Sequence, residues 1–107
     1  TICALLGPRQ AGKSTLARQF SAQYAGQVHY FDLEIPEDVS ALQQPLYVLG
    51  ALEGLIIIDE VQRLPELFPV LRVLADRSKA RYLILGSASR DLIKQASESL
   101  AGRIGFI

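Results

Sequence analysis

Residues 7–14 have the sequence GPRQAGKS, and this stretch decides the fold of the 107-residue chain. It matches the pattern G-x-x-x-x-G-K-[ST], in which successive backbone N–H groups form a concave nest for phosphate oxygens. The apolar run at residues 1–6 predicts a buried strand, and Leu16, Phe20 and Tyr24 recur every four residues, as on one stripe of a helix. A strand before the stretch and a helix after it are the context that a phosphate-binding loop requires.

The loop is predicted to make most of the contacts with a nucleotide. Glycine at Gly7 and Gly12 lets the backbone approach a phosphate group closely, and the helix beginning near Lys13 directs its positive end to the same point. We expect Lys13 to reach the β- and γ-phosphates and the hydroxyl of Ser14 to hold Mg²⁺. The predicted nucleotide-binding residues are the whole loop and the residue after it: Gly7, Pro8, Arg9, Gln10, Ala11, Gly12, Lys13, Ser14 and Thr15.

The rest of the chain alternates short apolar runs with longer amphipathic ones. Further strands are predicted at residues 28–33, 55–59, 81–85 and 103–107. Helices are predicted at residues 13–25, 65–77 and 90–100, and from Pro36 to a break at Pro45. Because the strands are apolar throughout, we expect helices on both faces of a parallel sheet. The predicted fold class is α/β, a three-layer α/β/α sandwich with a five-stranded parallel sheet.

An acidic pair follows the clearest of these strands. The apolar run at residues 55–58 leads directly into Asp59 and Glu60, and the carboxyl ends of strands form the edge where open α/β sheets bind ligands. We expect Asp59 to hold the hydration shell of Mg²⁺, and Glu60 to face the γ-phosphate and polarise an attacking water. A bare metal site does not need the second acid, so the pair favours a hydrolase.

Composition excludes several other classes of protein. Half of the residues are hydrophobic and 21% are charged, which rules out a disordered tail, a collagen-like chain and a coiled coil. Eleven basic and eleven acidic residues cancel, so no charge excess indicates nucleic acid or a membrane surface. One cysteine and no signal-peptide pattern favour a cytoplasmic protein.

The chain contains no methionine, so we expect it to be a fragment of a longer protein, with one P-loop domain over residues 1–107. The five predicted strands and their helices use all of these residues and leave no segment to cover the nucleotide. We therefore expect the isolated chain to bind ATP·Mg²⁺ weakly and to hydrolyse it little or not at all.

Several further strings carry a family resemblance. They are YFDL at residues 30–33, IDEVQR at 58–63, PELF at 65–68, GSAS at 86–89 and SLAGR at 99–103. With the phosphate loop they span essentially the whole chain and resemble the prokaryotic ATPase-domain family of the AAA-like superfamily. Its members often carry a carboxy-terminal region similar to a restriction nuclease. The resemblance implies a P-loop ATPase core of the additional-strand type, with sheet order 5-1-4-3-2.

The resemblance also implies groups that complete the site. In that order the fourth strand ends between the loop and the acidic pair, where AAA-like ATPases place a polar residue that touches the γ-phosphate or the water. Ser87 is the candidate for this sensor role, and capping of the next helix is its alternative. Phosphoryl transfer also needs a positive group on the γ-phosphate, and Arg103 is the family-motif candidate. Arg63 and Arg90 lie nearer the nucleotide edge, whereas a parallel fifth strand would leave Arg103 to a neighbouring subunit or another domain.

Three functions from different classes are compatible with these residues. The leading one is an ATP-binding domain that hydrolyses ATP and so drives or gates a partner domain, with ATP and Mg²⁺ as cofactors and a homo-oligomer as one source of the arginine. The second is a nucleotide-gated binding module without turnover, against which Glu60 argues. The third is a P-loop kinase for a small molecule, which lacks its arginine-rich lid here. GTP is disfavoured because no N/T-K-x-D string for guanine is present.

Overall fold

The computed structural model describes residues 2–7 and 12–106, apart from the side chain of Ser14. Strands and helices alternate along this part of the chain, in the order β1 (Ile2–Leu6), α1 (Lys13–Gln23), β2 (Val28–Asp32), α2 (Pro36–Ala41), α3 (Pro45–Gly50), β3 (Leu55–Asp59), a 3₁₀ turn (Val61–Arg63), α4 (Leu67–Arg77), β4 (Arg81–Gly86), α5 (Arg90–Ser99) and β5 (Ile104–Phe106). The predicted break at Pro45 is confirmed, because α2 ends before it and α3 begins with it.

The five strands form one sheet in the order β2-β3-β4-β1-β5, and all of their pairings are parallel. Counted from the other edge this order is 5-1-4-3-2, so the predicted topology is confirmed. In the register of the sheet Leu6 pairs with Gly86 and Asp32 pairs with Asp59. The carboxyl ends of β1, β3 and β4 therefore lie together at one edge, where the phosphate loop, the acidic pair and Ser87 all begin.

Alternate residues of the central strands pack on opposite sides of the sheet. On one side Ile56, Ile58 and Ile84 belong to the main core, which also takes buried side chains from α3, α4 and α5. On the other side Leu55, Ile57, Leu83 and Leu85 form a smaller cluster with Ala17 of α1. The three layers of the predicted sandwich are therefore present, and the layer on the α1 side is the thinner one.

Two of the three residues of the stripe predicted on α1 are not buried, whereas the third, Tyr24, packs against the smaller cluster. Leu16 and Phe20 are 48% and 50% exposed, whereas Ala17 is 1% exposed. The small side chain of Ala17 lets the helix approach the sheet, which turns the two larger residues toward the margin of the contact. There they line an apolar cavity of about 620 Å³ together with Cys3 and Leu83. The lining of this cavity includes Leu55 and Arg81, the first residues of β3 and β4, and does not include Lys13, Asp59 or Glu60.

Two other differences from the predicted elements have local causes. The helix expected from residue 65 begins at Leu67, because the 3₁₀ turn and residues 64–66 carry the chain around the end of the sheet. The strand β2 is exposed on one side, with Val28 and Tyr30 being 37% and 38% accessible. As the edge strand of the sheet, β2 has only β3 as a neighbouring strand.

Candidate nucleotide-binding site

Lys13 is the first residue of α1 and lies at the carboxyl edge of the sheet. Its side chain is only 6% exposed, and its Nζ donates hydrogen bonds to the carbonyl oxygens of Gly7 at 2.8 Å and Gly86 at 2.9 Å. Gly12 precedes it with φ 78° and ψ 20°, a left-handed conformation that glycine adopts without steric cost. The ammonium group is thereby fixed between the ends of β1 and β4.

This position suits a phosphate ligand. An ammonium group has three hydrogens to donate, and among the described residues the two carbonyl oxygens take two of them. The amino end of α1 favours an anion through its unpaired N–H groups and its dipole, and the first turn of α1 contains no acidic residue that would compete. Thr15 is exposed in the same turn. The described part of the loop therefore fits the predicted phosphate contacts.

The remaining residues predicted for the loop lie outside the described part of the structure. They are Pro8, Arg9, Gln10 and Ala11, and the side chain of Ser14. Their roles in binding the phosphates and the metal ion stay predictions.

Asp59, the last residue of β3, is 6% exposed. Its Oδ2 accepts a hydrogen bond of 2.6 Å from the hydroxyl of Tyr30 on β2, and its Oδ1 accepts one of 2.9 Å from the backbone N–H of Glu60. Only β4 lies between β3 and β1, so Asp59 is two strand spacings, about 10 Å, from the end of β1. The aspartate predicted to serve the metal ion is therefore held rigidly on the edge that carries Lys13.

The donor groups at this edge fit Mg²⁺ only in company with a nucleotide. Within the described ranges no group of three or more His, Cys, Asp or Glu residues is arranged to hold a metal ion. Mg²⁺ at nucleotide sites takes one or two protein ligands and completes its shell with phosphate oxygens and water. Asp59 and Ser14 are the residues that would hold it, and the protein does not provide a complete metal cage.

Glu60 follows with an unusual backbone conformation. It has φ 57° and ψ 47° and is the one non-glycine residue with positive φ among those described. For an ordinary residue this conformation costs about 1–2 kcal/mol, and such strained residues cluster at functional sites. The turn places Val61 in the core with no exposed surface, while Glu60 stays half-exposed at the edge of the sheet.

Ser87 lies where the predicted sensor belongs, directly after β4 and between Lys13 and Glu60. Its backbone N–H donates a long hydrogen bond of 3.4 Å to Oε1 of Gln62. The alternative role of capping the next helix belongs to Ser89, whose Oγ accepts a hydrogen bond of 3.1 Å from the backbone N–H of Leu92. The position of Ser87 fits the sensor role, which itself stays a prediction.

Gln62 is the site residue that sequence reasoning missed. Its Nε2 donates a hydrogen bond of 2.5 Å to Oε2 of Glu60, while its Oε1 faces the N–H of Ser87. The string IDEVQR contained the signal, a side chain able both to donate and to accept, two residues after the acidic pair. Nothing in the local pattern showed that it would reach Ser87, which follows β4 and lies 25 residues further along the chain.

Arg103 lies apart from the other predicted catalytic residues. Its carbonyl oxygen accepts a hydrogen bond from the N–H of Ile2, at the opposite end of β1 from the phosphate loop. The length of β1, about 16 Å, separates the two ends. Its guanidinium pairs with Asp76 through contacts of 2.9 Å to Oδ1 and 2.8 Å to Oδ2. These hydrogen bonds lower the pKa of Asp76 and raise the pKa of Arg103. Arg103 is therefore not assembled with the site of its own chain.

Comparison with known proteins agrees with this arrangement. The AAA domain family matches residues 1–107. The chain is 54% identical to uncharacterized protein Mb2031c of Mycobacterium bovis and to uncharacterized protein Rv2008c of Mycobacterium tuberculosis, over 99% of this chain and 24% of each relative. It thus spans about a quarter of the length of these curated relatives.

A solved structure shows the same fold. The P-loop NTPase domain of the sigma-54 transport activator from E. coli superimposes with a TM-score of 0.58 and 17% identity, over 98% of this chain and 81% of that one. None of the helices described here is long and apolar enough to span a membrane. The family match over the whole length, the sheet order and the geometry around Lys13 lead to one conclusion: the chain belongs to the prokaryotic AAA-like P-loop NTPase domain family.

Proposed function

We propose that this domain binds ATP with Mg²⁺ and hydrolyses the bond between the β- and γ-phosphates. The observation that carries the proposal is the meeting of three groups at one edge of the sheet. Lys13 lies at the end of β1, and Asp59 and Glu60 lie at the end of β3, with only β4 between them. A phosphate-binding cation, a metal-binding acid and a second acid are the groups that phosphoryl transfer to water requires.

Each group has one role in the proposed reaction. Lys13 binds oxygens of the β- and γ-phosphates, and Ser14 and Asp59 hold Mg²⁺, which when bound offsets negative charge on the same oxygens. Glu60 orients a water and accepts its proton as the water oxygen forms a bond to the γ-phosphorus. The bond from that phosphorus to the bridging oxygen breaks, so that ADP and inorganic phosphate leave. Ser87 contacts the γ-phosphate or the water from the end of β4.

The contact between Glu60 and Gln62 is also compatible with a second function. The carboxylate of Glu60 accepts a hydrogen bond from Gln62, which occupies one of the two oxygens that could accept the proton of a water. A domain in which this contact persisted after ATP binding would be a nucleotide-gated binding module without turnover. Measured hydrolysis would exclude that alternative.

The wider role is proposed at a coarser level. In the longer protein the ATPase cycle would drive or gate a partner domain, and the family resemblance favours a carboxy-terminal region similar to a restriction nuclease. Assembly into a homo-oligomer would bring Arg103 of one chain to the nucleotide of a neighbour. The cytoplasm, where ATP is abundant, is the expected compartment.

Titration with a fluorescent ATP analogue, with and without Mg²⁺, tests the binding step. We expect Lys13→Ala to weaken binding by about 10-fold or more, because a charged hydrogen-bond donor is lost. Asp59→Asn should remove most of the enhancement by Mg²⁺ while leaving Mg²⁺-free binding intact. Lys94→Ala, at an exposed position of α5, is the matched control. Unchanged affinity in a Lys13→Ala protein with a native circular dichroism spectrum would refute the assignment.

A further inference from the structure

A run of hydrogen bonds connects the phosphate-binding lysine to the acid after β3. Lys13 Nζ donates to the carbonyl oxygen of Gly86 at 2.9 Å. The same peptide unit carries the N–H of Ser87, which donates to Oε1 of Gln62 at 3.4 Å. Nε2 of Gln62 then donates to Oε2 of Glu60 at 2.5 Å. Two amide groups, one from the backbone and one from a side chain, therefore connect Lys13 to Glu60 through successive hydrogen bonds.

The local structure is shaped to admit this side chain. A Cβ atom at position 86 would lie 2.7 Å from Oε1 of Gln62 and 3.2 Å from Cγ1 of Val61. Glycine at Gly86 removes that conflict and lets the amide of Gln62 approach the end of β4. The left-handed conformation of Glu60 and the 3₁₀ turn after it carry Gln62 back over the strand end. The glycine, the left-handed residue and the 3₁₀ turn together allow the side-chain amide of Gln62 to reach the end of β4.

We propose that Gln62 is a positioning residue, whose side-chain amide ties the carboxylate of Glu60 to the Gly86–Ser87 peptide and so couples the setting of the acid to Lys13. The role in turnover rests on the proposed hydrolysis of ATP. An amide suits this task because it donates at one end and accepts at the other. Hydrogen-bonded amides in a chain also polarise one another, so a change at one end alters the bond at the other.

The coupling has a direct physical consequence. A phosphate oxygen that accepts the third hydrogen of the Lys13 ammonium draws on the same positive charge that polarises the carbonyl group of Gly86. The Gly86–Ser87 peptide then loses part of its polarisation, and its hold on Gln62 weakens. Occupancy of the phosphate site thereby alters the hydrogen bonds that position the carboxylate of Glu60.

The first test needs no nucleotide and no activity. In ¹⁵N-labelled protein, Glu60→Gln removes the charge from position 60, and we expect it to shift both the side-chain amide resonance of Gln62 and the backbone amide resonance of Ser87. In a Gln62→Leu background the shift at Ser87 should fall to less than about half, because the bridge is gone. Gln95→Leu, at an exposed site on α5, is the control. In that background the shift of the Ser87 resonance should keep its full size. A Ser87 shift that stays at half or more in the Gln62→Leu background would overturn the bridge.

The second test measures turnover. Gln62→Leu should lower kcat by about 10- to 100-fold, the usual effect of losing a group that orients a functional ligand, with KM for ATP nearly unchanged. Gln62→Asn, which is one methylene shorter and cannot span both partners, should behave in the same way, and Gln95→Leu should not. A Gln62 that only stabilised the fold would lower the melting temperature and leave kcat of the folded protein intact. Turnover is measured in the longer protein that contains this domain, because the isolated chain is expected to hydrolyse ATP little or not at all. Absence of turnover in that longer protein would refute the proposed function and the positioning role with it, while the resonance shifts would still decide whether the bridge exists.

Discussion

The ammonium nitrogen of Lys13 lies 2.9 Å from the carbonyl oxygen of Gly86, although 73 residues separate the two in the chain. A second carbonyl, that of Gly7, lies 2.8 Å from the same nitrogen. The lysine expected to bind phosphate therefore also connects the ends of β1 and β4. Because the end of β4 in turn meets the turn after β3, a change at this lysine can reach the acid that is proposed to activate water.

Replacement of Gly86 by alanine tests how tightly the end of β4 is packed. The new Cβ would lie 2.7 Å from Oε1 of Gln62 and 2.9 Å from Cδ2 of Leu92. Both atoms end flexible side chains, so we expect a loss of about 1 kcal/mol in unfolding free energy, at the low end for overpacking, and displacement of Gln62. The measurement is urea unfolding beside Gly105→Ala, where a Cβ meets nothing within 4 Å. Equal stabilities of the two variants would contradict the packing described here.

The left-handed backbone at Glu60 predicts that a glycine variant is more stable than an alanine variant at this position, the reverse of the usual order inside a helix. Glycine tolerates φ 57° and alanine does not, so Glu60→Gly should be more stable than Glu60→Ala by about 1 kcal/mol. At Gln95, inside α5, the order should be the ordinary one, with alanine better than glycine by about 1 kcal/mol. Thermal unfolding of the four variants gives both differences. An alanine variant at position 60 that matched or exceeded the glycine variant would show that the residue is not strained.

The location of Arg103 predicts that any catalytic role is exercised on a neighbouring chain. Arg103→Ala and Lys13→Ala should each abolish most turnover, since an arginine supplied in trans contributes about 10³- to 10⁵-fold. Mixing the two inactive proteins should restore part of the rate, because some interfaces then combine an intact Lys13 with an intact Arg103. Arg77→Ala, an exposed change at the end of α4, is the control. If Arg103→Ala hydrolyses ATP at the wild-type rate, the arginine has no role in the reaction.

The fold could be read from the sequence because its signals are local. The motif at residues 7–14 predicts the strand before it and the helix after it. Proline at Pro45 breaks a helix, and the apolar run that ends at Asp59 indicates the end of a strand. The sheet order came from the family resemblance and was confirmed. The face of α1 was predicted wrongly at two of its three residues, because spacing alone does not show that the small Ala17 and not Leu16 or Phe20 meets the sheet.

The contacts that complete the site were beyond local patterns. Gln62 contacts Ser87, which lies 25 residues further along the chain. That contact is possible because Gly86 has no side chain. Arg103 finds its partner in Asp76, 27 residues earlier, because β5 begins beside the end of α4. Both relationships follow from how strands and helices pack, and neither residue carries a sequence signal for its partner.

Turnover by the Glu60→Gln variant shows whether the acid after β3 is the general base. An amide cannot accept the proton of the attacking water, so phosphate release should fall by about 10²- to 10⁴-fold, as expected for the loss of a general base. The affinity for a fluorescent ATP analogue should stay at the wild-type level, since Lys13 and Asp59 are untouched. The measurement is phosphate release by the longer protein that contains this domain, at saturating ATP and Mg²⁺ and at several protein concentrations, with and without the substitution. A large loss of rate with binding retained is the result predicted here. Hydrolysis at the wild-type rate would show that Glu60 is not the general base and that the catalytic group lies elsewhere than at the end of β3.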